Sequence, residues 1–456
     1  MRTEDEGKPE ARVSGGRGVV GLEARLLALE TLRAWSRSEG FVAETHRRLS
    51  AKWPDMDEGD RALALEIAFG TLRHVRLLQY NLDKFVSRKP DETPLLILLE
   101  ALYQFWWMDR VPVHAVVDAA VEAARTECGE RVAGFVNAVL RKASRRKLDV
   151  PSGHRLGDLA VRYSHPGWLV QKWNEQMGFK PMALRLKADN AQPVHWVRLR
   201  GTPERREEAL AALPLNRGES RFERYYAVEG PLRRLLRHPL FLEGRAAVQD
   251  PASYLLVRLL DLKPGDRVLD LCAAPGGKSS LILDEFEGVS VVAADNSFDR
   301  LAKARELPQA AEGRLPLVVA DGLRPPFRRG AFSHVLLDAP CSNLGVARRR
   351  PEALWKASPA SLKKTAELQL RLLESASELL DEGGVLVYGT CSPEPEETYD
   401  VVDAFLSAHP GWTLEGPRDW IPHRYVHHRC LSISPAPGSL DGFFGARLTR
   451  GATGAR

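Results

Sequence analysis

Paired cysteines of the metal-binding type are missing from this sequence. Its 456 residues hold five cysteines (Cys128, Cys272, Cys341, Cys391 and Cys430), dispersed and odd in number, with no C-x-x-C spacing. That argues against a disulfide framework and a zinc site, and for a reducing compartment; no metal is expected. Long hydrophobic runs are also scarce. The most apolar stretch, PLLILLEALYQFWWM from Pro94, contains Glu100 and is too short for a membrane span, so a buried helix is expected there and no membrane association. The first residues, MRTEDEGKPEARVSGG, have no apolar core and do not read as a secretory signal, so a cytoplasmic location is expected. Charge of one sign is not in large excess: 65 Lys and Arg against 60 Asp and Glu leave +5. A polyanionic partner is therefore suggested by local arginine clusters rather than by the total.

What is present divides into segments. Residues 1–17 are expected to form a flexible polar tail. Residues 18–148 carry helical period throughout. GLEARLLALETLRAW places Leu22, Leu26, Leu29 and Leu32 on one stripe, and DRALALEIAFGTLRH repeats the pattern with Asp60 as its cap. An all-α domain of five to seven helices follows, with the segment after Pro94 at its centre. Residues 149–164, basic and bearing Pro and Gly, read as a linker. Residues 165–246 read as a small α/β module, RRM-like in type, with Pro166 in the first turn of a helix and HWVRLR and ERYYAVEG as strands.

From residue 247 to 450 strands and helices alternate. RVLDL, VSVVAAD, PLVVADG, FSHVLLDAP and GGVLVYGTC are five buried-type strands, so a mostly parallel Rossmann-type sheet with helices on both faces is expected. Ligands of such sheets sit outside the carboxyl ends of the strands, where the polar residues of this chain gather. The first strand runs into CAAPGGKSS, whose Gly276 and Gly277 allow a tight turn and close approach of a ligand. Asp295 ends the next strand about twenty residues on, where an acid meets a ribose. Asp321 ends the third. The loop lacks the G-x-G-x-x-G that brings a pyrophosphate to a helix N-terminus. With Asp270, Asp295 and Asp321, the crevice suits a ligand with a cationic centre, an amino group and a ribose. S-adenosylmethionine has all three.

The fourth strand ends in Asp338-Ala339-Pro340-Cys341 and the fifth in Thr390-Cys391-Ser392. A lone cysteine is usually a small buried hydrophobe, which is the expectation for Cys128, Cys430 and Cys272. Two at neighbouring strand ends suggest more. A pyrimidine C5 becomes nucleophilic only once a thiolate adds at C6, so a methyltransferase acting on that carbon needs a cysteine where an amino-nitrogen enzyme does not. The residues alone leave open which of the two attacks. Lys278 is a possible contact for the base carbonyl, and Arg348, Arg349 and Arg350, directly after the Cys341 loop, are expected to contact phosphate.

With these motifs in place the chain resembles the RsmB/Sun family of RNA cytosine-5 methyltransferases. The resemblance rests on VQDPAS, LDLCAAPGGKS, LLDAPCSNLGVARRRPE, YGTCSPEPEE and DGFFGARL, with a NusB-like region carried by DRALALEIAFGTLRH, ALYQFWWMDRVPVHAVVDAAVEAA and GFVNAVLRKA. It implies S-adenosylmethionine as cofactor, bound by Cys272, Ala273, Ala274, Pro275, Gly276, Gly277, Lys278, Asp295, Asp321 and Asp338. It implies Cys391 as the nucleophile and Cys341 as the residue assisting proton removal and product release; Asp338 is expected, from the chemistry of the base, to hold the cytosine edge. The implied substrate is small-subunit (16S-type) ribosomal RNA, tRNA being the alternative, and the expected state is a monomer. A non-catalytic RNA-binding or antitermination factor is the rival from another class, and the intact cysteine pair speaks against it. Asn343 departs from the family, which more often has Gly or Ala there.

Overall fold

The computed structural model describes residues 19–37, 40–216, 222–230, 232–418, 420–438 and 440–451. The tail expected over 1–17 lies outside them. The chain forms two compact units, 1–164 and 165–456.

The first unit is helical, with helices Leu22–Ser36, Val42–Ser50, Glu58–Arg73, Val75–Leu82, Glu92–Trp107, Val113–Cys128, Glu130–Ala143 and Leu156–Arg162. The all-round apolar helix Glu92–Trp107 buries ten of its residues and is the centre of this unit, as its composition predicts. Glu100 is inside it, and burial pushes its carboxyl well above the ordinary range, with Arg25 acting against that rise. Two details differ from the sequence reading. Asp57, not Asp60, caps the third helix, its side chain accepting the Asp60 N–H at 2.8 Å. The span 149–164 also contains the helix Leu156–Arg162 and belongs to the first unit.

The second unit opens with helices Gly167–Met177, its N-cap Pro166, and Phe179–Asp189. A small antiparallel sheet follows, of β1 (Trp196–Leu199), β2 (Leu215–Asn216), β3 (Tyr225–Val228) and β4 (Ala246–Val248), in the order β2-β3-β1-β4. The large sheet has nine strands: β5 (Arg267–Leu271), β6 (Ser290–Asp295), β7 (Leu317–Val319), β8 (Phe332–Asp338), β9 (Leu380–Thr390), β10 (Trp412–Glu415), β11 (Val426–His427), β12 (Cys430–Ile433) and β13 (Phe443–Arg450). Strands β9-β8-β5-β6-β7 are parallel, the five the sequence announces. Beyond β9 the sheet continues antiparallel through β13, which pairs with β9, β12 and β10.

Alternate residues of the central strands feed two cores. Val268, Leu336 and Val387 face one side, and Leu269, Val335, Leu337, Leu386 and Tyr388 face the other. Burial on both faces is why these strands read as continuous apolar runs. Among the described residues no helix is long and apolar enough to cross a membrane, and no group of His, Cys, Asp and Glu could hold a metal.

Candidate active site at the strand ends

Strand register brings the two thiols together. Strands β8 and β9 are parallel neighbours with Asp338 opposite Gly389, so the chain leaves both at the same edge. Cys341 lies three residues past the end of β8 and Cys391 one past the end of β9. Their Sγ atoms are 3.0 Å apart, and both cysteines are free. The other thiols have different surroundings. Burial first, then Asp295 and Asp338, pushes Cys272 up to about 12, and burial pushes Cys430, within β12, up to about 12.

The thiol loops are tied by a buried carboxylate the sequence reading left unassigned. Glu397 Oε1 accepts the Ser342 N–H at 2.8 Å, and its Oε2 accepts the Ser342 hydroxyl at 2.5 Å. Gln369, from the helix Pro359–Ser377, donates to the Pro340 carbonyl at 2.9 Å and reaches Glu397 at 3.4 Å. Tyr388 donates its hydroxyl to the Glu397 carbonyl at 2.7 Å. Glu397 thus clamps the loop after β8 to the loop after β9. Glu394, fully buried, is held from another direction: it accepts from Trp173 Nε1 at 2.9 Å, from Arg185 at 2.9 Å and from Lys172. The acidic run PEPEE behind a strand-end thiol was the available signal for both residues.

Gly345 closes the arrangement. Its N–H donates to the Cys391 carbonyl at 2.9 Å, and its own carbonyl accepts from the Gly442 N–H at 2.8 Å, stringing three loops together. A Cβ at Gly345 would lie 2.6 Å from the Cys391 carbonyl oxygen and nearer still to that of Gly442. Both are backbone atoms and cannot step aside cheaply. Gly345→Ala should therefore displace Cys391 and lower kcat by at least about tenfold, since misplacement of about 1 Å costs more than that in a positioned reaction. Kinetics beside circular dichroism would check it, and wild-type kcat would reject the tight contact.

On the other side of the thiols, β5 ends at Leu271 and the loop from Cys272 turns at Gly276 (φ 95°) into the helix Gly277–Glu285. Lys278 Nζ is 2.5 Å from Asp338 Oδ2 and 5.5 Å from the Phe443 ring centroid. Burial works against the Lys278 charge, but Asp338, with Asp270 and Cys391, outweighs it and the ammonium is held above its ordinary value. Lys278 is thus a positive charge fixed on Asp338 and near enough to Cys391 for the two to interact electrostatically.

A cleft of about 280 Å³ adjoins it, lined among others by Gln249, Asp250, Asp270, Ala274, Lys278 and Asp338. Asp270 is fully buried; Ser279 donates to its Oδ2 at 2.5 Å, while Oδ1 has no partner. Burial raises Asp270 to about 7, with Asp338 and Asp295 adding to the rise. An orphaned buried carboxylate oxygen, surrounded by acids at the end of β5, suits a positively charged nucleoside, and S-adenosylmethionine fits that donor set. Residues 272–275, 277 and 278 border this cleft. Asp295 and Asp321 stand at the ends of β6 and β7 outside its lining. Both oxygens of Asp295 already accept backbone N–H groups, from Ala274 at 3.0 Å and Ser297 at 2.9 Å, and Asp321 accepts from Leu323 at 3.0 Å.

The arginine run after the Cys341 loop is placed differently from the expectation. Arg348 is buried, 2 % exposed, and its Nε donates to Asp441 Oδ1 at 2.6 Å. Arg349 donates to Asp441 Oδ2 at 2.5 Å, to the Val194 carbonyl at 2.6 Å and to Asp250 at 3.3 Å. These two guanidiniums brace the loop against β13 and the small sheet, so phosphate contact by Arg348 and Arg349 is not what this arrangement presents. Arg350 is partly exposed. Surface cations stand elsewhere: Arg141, Lys142, Arg145, Arg146 and Lys147 in the first unit, and Arg233, Arg234 and Arg237 in the second, are exposed.

Fold and site together define a Rossmann-type methyltransferase with a helical domain on its N-terminal side. The family model for the 16S rRNA methyltransferase RsmB/F matches residues 257–449, and the NusB family model matches residues 22–145. A protein of Bacillus subtilis named "Probable ribosomal RNA small subunit methyltransferase B" is 30% identical over 442 residues, covering 92% of this chain and 97% of its own. The ribosomal RNA small subunit methyltransferase B of Vibrio cholerae is 33% identical over 401 residues, 86% of this chain and 90% of its own. The crystal structure titled PH0851 superposes with a TM-score of 0.77 at 22% identity, covering 95% of this chain and 99% of that one, and so shares the fold. The chain belongs to the RsmB family of methyltransferases.

Proposed function

We propose that this protein methylates C5 of a cytosine in small-subunit ribosomal RNA through a covalent adduct between Cys391 Sγ and C6 of the base. The observation that carries this reading is the pair of free thiols 3.0 Å apart at adjacent strand ends, with Lys278 charged beside them. Methylation of an exocyclic nitrogen or a ribose oxygen has no use for either thiol. A carbon nucleophile does, because C5 must first be made enamine-like. The target base leaves its stack to enter the crevice, since C5 and C6 are out of reach within a helix.

Under this reading Asp338, ion-paired with Lys278, takes the polar edge of the cytosine and Lys278 its carbonyl; their pairing at one strand end supports it. Cys391 forms the S–C6 bond and C5 gains nucleophilic character. Residues 272–278 with Asp270, and Asp295 and Asp321 at the neighbouring strand ends, would hold S-adenosylmethionine, which would supply the electrophilic methyl. The C5 proton must then leave, and the S–C6 bond must break to restore aromaticity. Cys341 is suited to that second half. Its thiol is held well above the ordinary range by its hydrogen bond to Cys391 first and by burial second. Once Cys391 has become a thioether, the first of these causes is gone, so Cys341 gives up its own proton to solvent more readily and, as the thiolate, takes the C5 proton.

The exposed cations between Arg141 and Lys147, on a NusB-type helical unit, supply an RNA-binding surface of the expected sign. Under this reading residues 18–148 bind RNA, residues 165–246 form an accessory module and residues 247–450 carry the chemistry. The test is release of tritium from 16S rRNA labelled at cytosine C5, measured with S-adenosylmethionine present. Release in step with methyl incorporation is expected. Methyl incorporation without it would move the target to another atom, and neither signal would leave a binding factor.

A further inference from the structure

The small antiparallel sheet stands outside the chemistry, yet it reaches the loop that follows β5. Its last strand, β4, ends at Val248, and Val248 and Gln249 both line the cleft beside Lys278. Gln249 faces two ways. Its Oε1 accepts from Arg198 Nε at 2.8 Å, within the small sheet, and its Nε2 donates to the Gly277 carbonyl at 3.0 Å. A guanidinium only donates and a carbonyl only accepts, so one orientation of the amide satisfies both partners and the other satisfies neither. Gln249 is therefore locked between β1 and the first turn of the helix Gly277–Glu285.

The small sheet also grips that helix further along. Arg198 is buried, and the same guanidinium that holds Gln249 donates through Nη1 to Asp284 Oδ2 at 2.5 Å. Arg200 donates to the Ser280 hydroxyl at 2.6 Å, and Arg224 to Glu285 at 3.0 Å. These three arginines fix the body of the helix, while Gln249 reaches its first residue, at the end of the cleft loop. The other end of the loop is held from the β6 side, where Asp295 accepts the Ala274 N–H at 3.0 Å and Arg300 donates to the Ala274 carbonyl at 3.0 Å. We infer that Gln249 is a positioning residue that sets the cofactor loop from the small sheet, so that this sheet, through Arg198 and Gln249, takes part in binding the methyl donor. The inference rests on the reading of residues 272–278 as the loop that holds S-adenosylmethionine.

The experiment uses the full-length protein and S-adenosylhomocysteine, whose sulfur carries no charge for a substituted acid to attract. Gln249→Met keeps the length of the side chain and removes both bonds. Gln249→Glu, ionised beside Arg198, keeps the acceptor for that guanidinium and removes the donor to Gly277. The dissociation constant, measured by calorimetry, should rise about three- to tenfold in both variants, the scale of one hydrogen bond. Hydrogen exchange of residues 272–280 in the ligand-free protein should quicken several-fold in both. A residue that only docked the small sheet would show a loss in the methionine variant and none in the glutamate variant, so wild-type affinity in Gln249→Glu would overturn the inference. Weaker binding with unchanged exchange would make Gln249 a ligand contact and overturn it too. If the wild-type protein does not bind S-adenosylhomocysteine, the cofactor reading fails instead, and exchange of residues 272–280 decides the role of Gln249 by itself.

Discussion

Cys391→Ala should lose methyl transfer to RNA by at least about 10³-fold, the scale on which removing a covalent nucleophile is felt. The side chain replaced is small, and the residue beside it, Ser392, is fixed by its own bonds to Thr390 and Glu394. Folding and cofactor binding should therefore be close to wild type, and the loss should fall on kcat. Cys341→Ala should behave differently. It leaves Cys391 able to add to C6 but removes the group placed for the second half of the reaction, so a protein–RNA adduct that survives denaturing electrophoresis should build up. Comparing the two variants for turnover and for adduct separates the roles. An adduct from Cys391→Ala, or full turnover by it, would reverse the assignment. The arrangement predicts an asymmetry because the thiols are not equivalent: Cys391 follows β9 directly, while Cys341 has the buried Glu397 for a neighbour and is held up by its bond to Cys391, by burial and by that acid. Glu397 is itself raised by burial, and its bonds to Ser342 only partly offset that rise.

The parts of the fold legible in the sequence were those written in local patterns. The five parallel strands are buried on both faces and read as apolar runs, and the helices of the first unit announce themselves by period. The two thiol loops follow from the same reasoning, because parallel neighbours must deliver their C-terminal ends to one edge. What was not legible depends on partners far away in sequence. Arg348 and Arg349 look like a phosphate-binding run, and nothing near them shows that Asp441, 93 and 92 residues on, takes both guanidiniums. Short strands such as β2 and β11, two residues each, carry too little pattern to be seen. The antiparallel extension through β13 was likewise hidden: DGFFGARL was visible as a motif, not as the strand that lies beside β9. Asn343 stands out in the sequence where the family more often has Gly or Ala, but its contacts with Cys341 and Cys391 exist only once the strands are in register.

Glu394→Ala should be the most destabilising single change near the site. The carboxylate is fully buried and receives Arg185, Lys172 and the Trp173 indole, all from the pair of helices that opens the second unit. Arg185 is itself only 4 % exposed and stacks 3.5 Å from the Trp173 ring centroid. Removing the acid leaves this cation buried without its main counter-charge, a change that typically costs about 3–5 kcal/mol. Asp189, 4.0 Å from Arg185 and already paired with His165, can make up only part of the loss. For a unit of this size each kcal/mol moves Tm by about 2–4 °C, so a fall on the order of 10 °C is expected in calorimetry. Glu394→Gln, which can still accept from Trp173, should fall less. The pH dependence has a definite sign. Burial alone would raise the Glu394 carboxyl, but Arg185 and Lys172 outweigh it and hold it below the ordinary value. Its contribution is therefore complete above the unfolded value of about 4.3 and is lost as pH drops through the lower folded one. The Tm gap between wild type and Glu394→Ala should accordingly be constant near neutrality and narrow in acid. A gap that widened in acid, or a variant as stable as wild type at pH 7, would remove Glu394 as the anchor of the loop that carries Cys391.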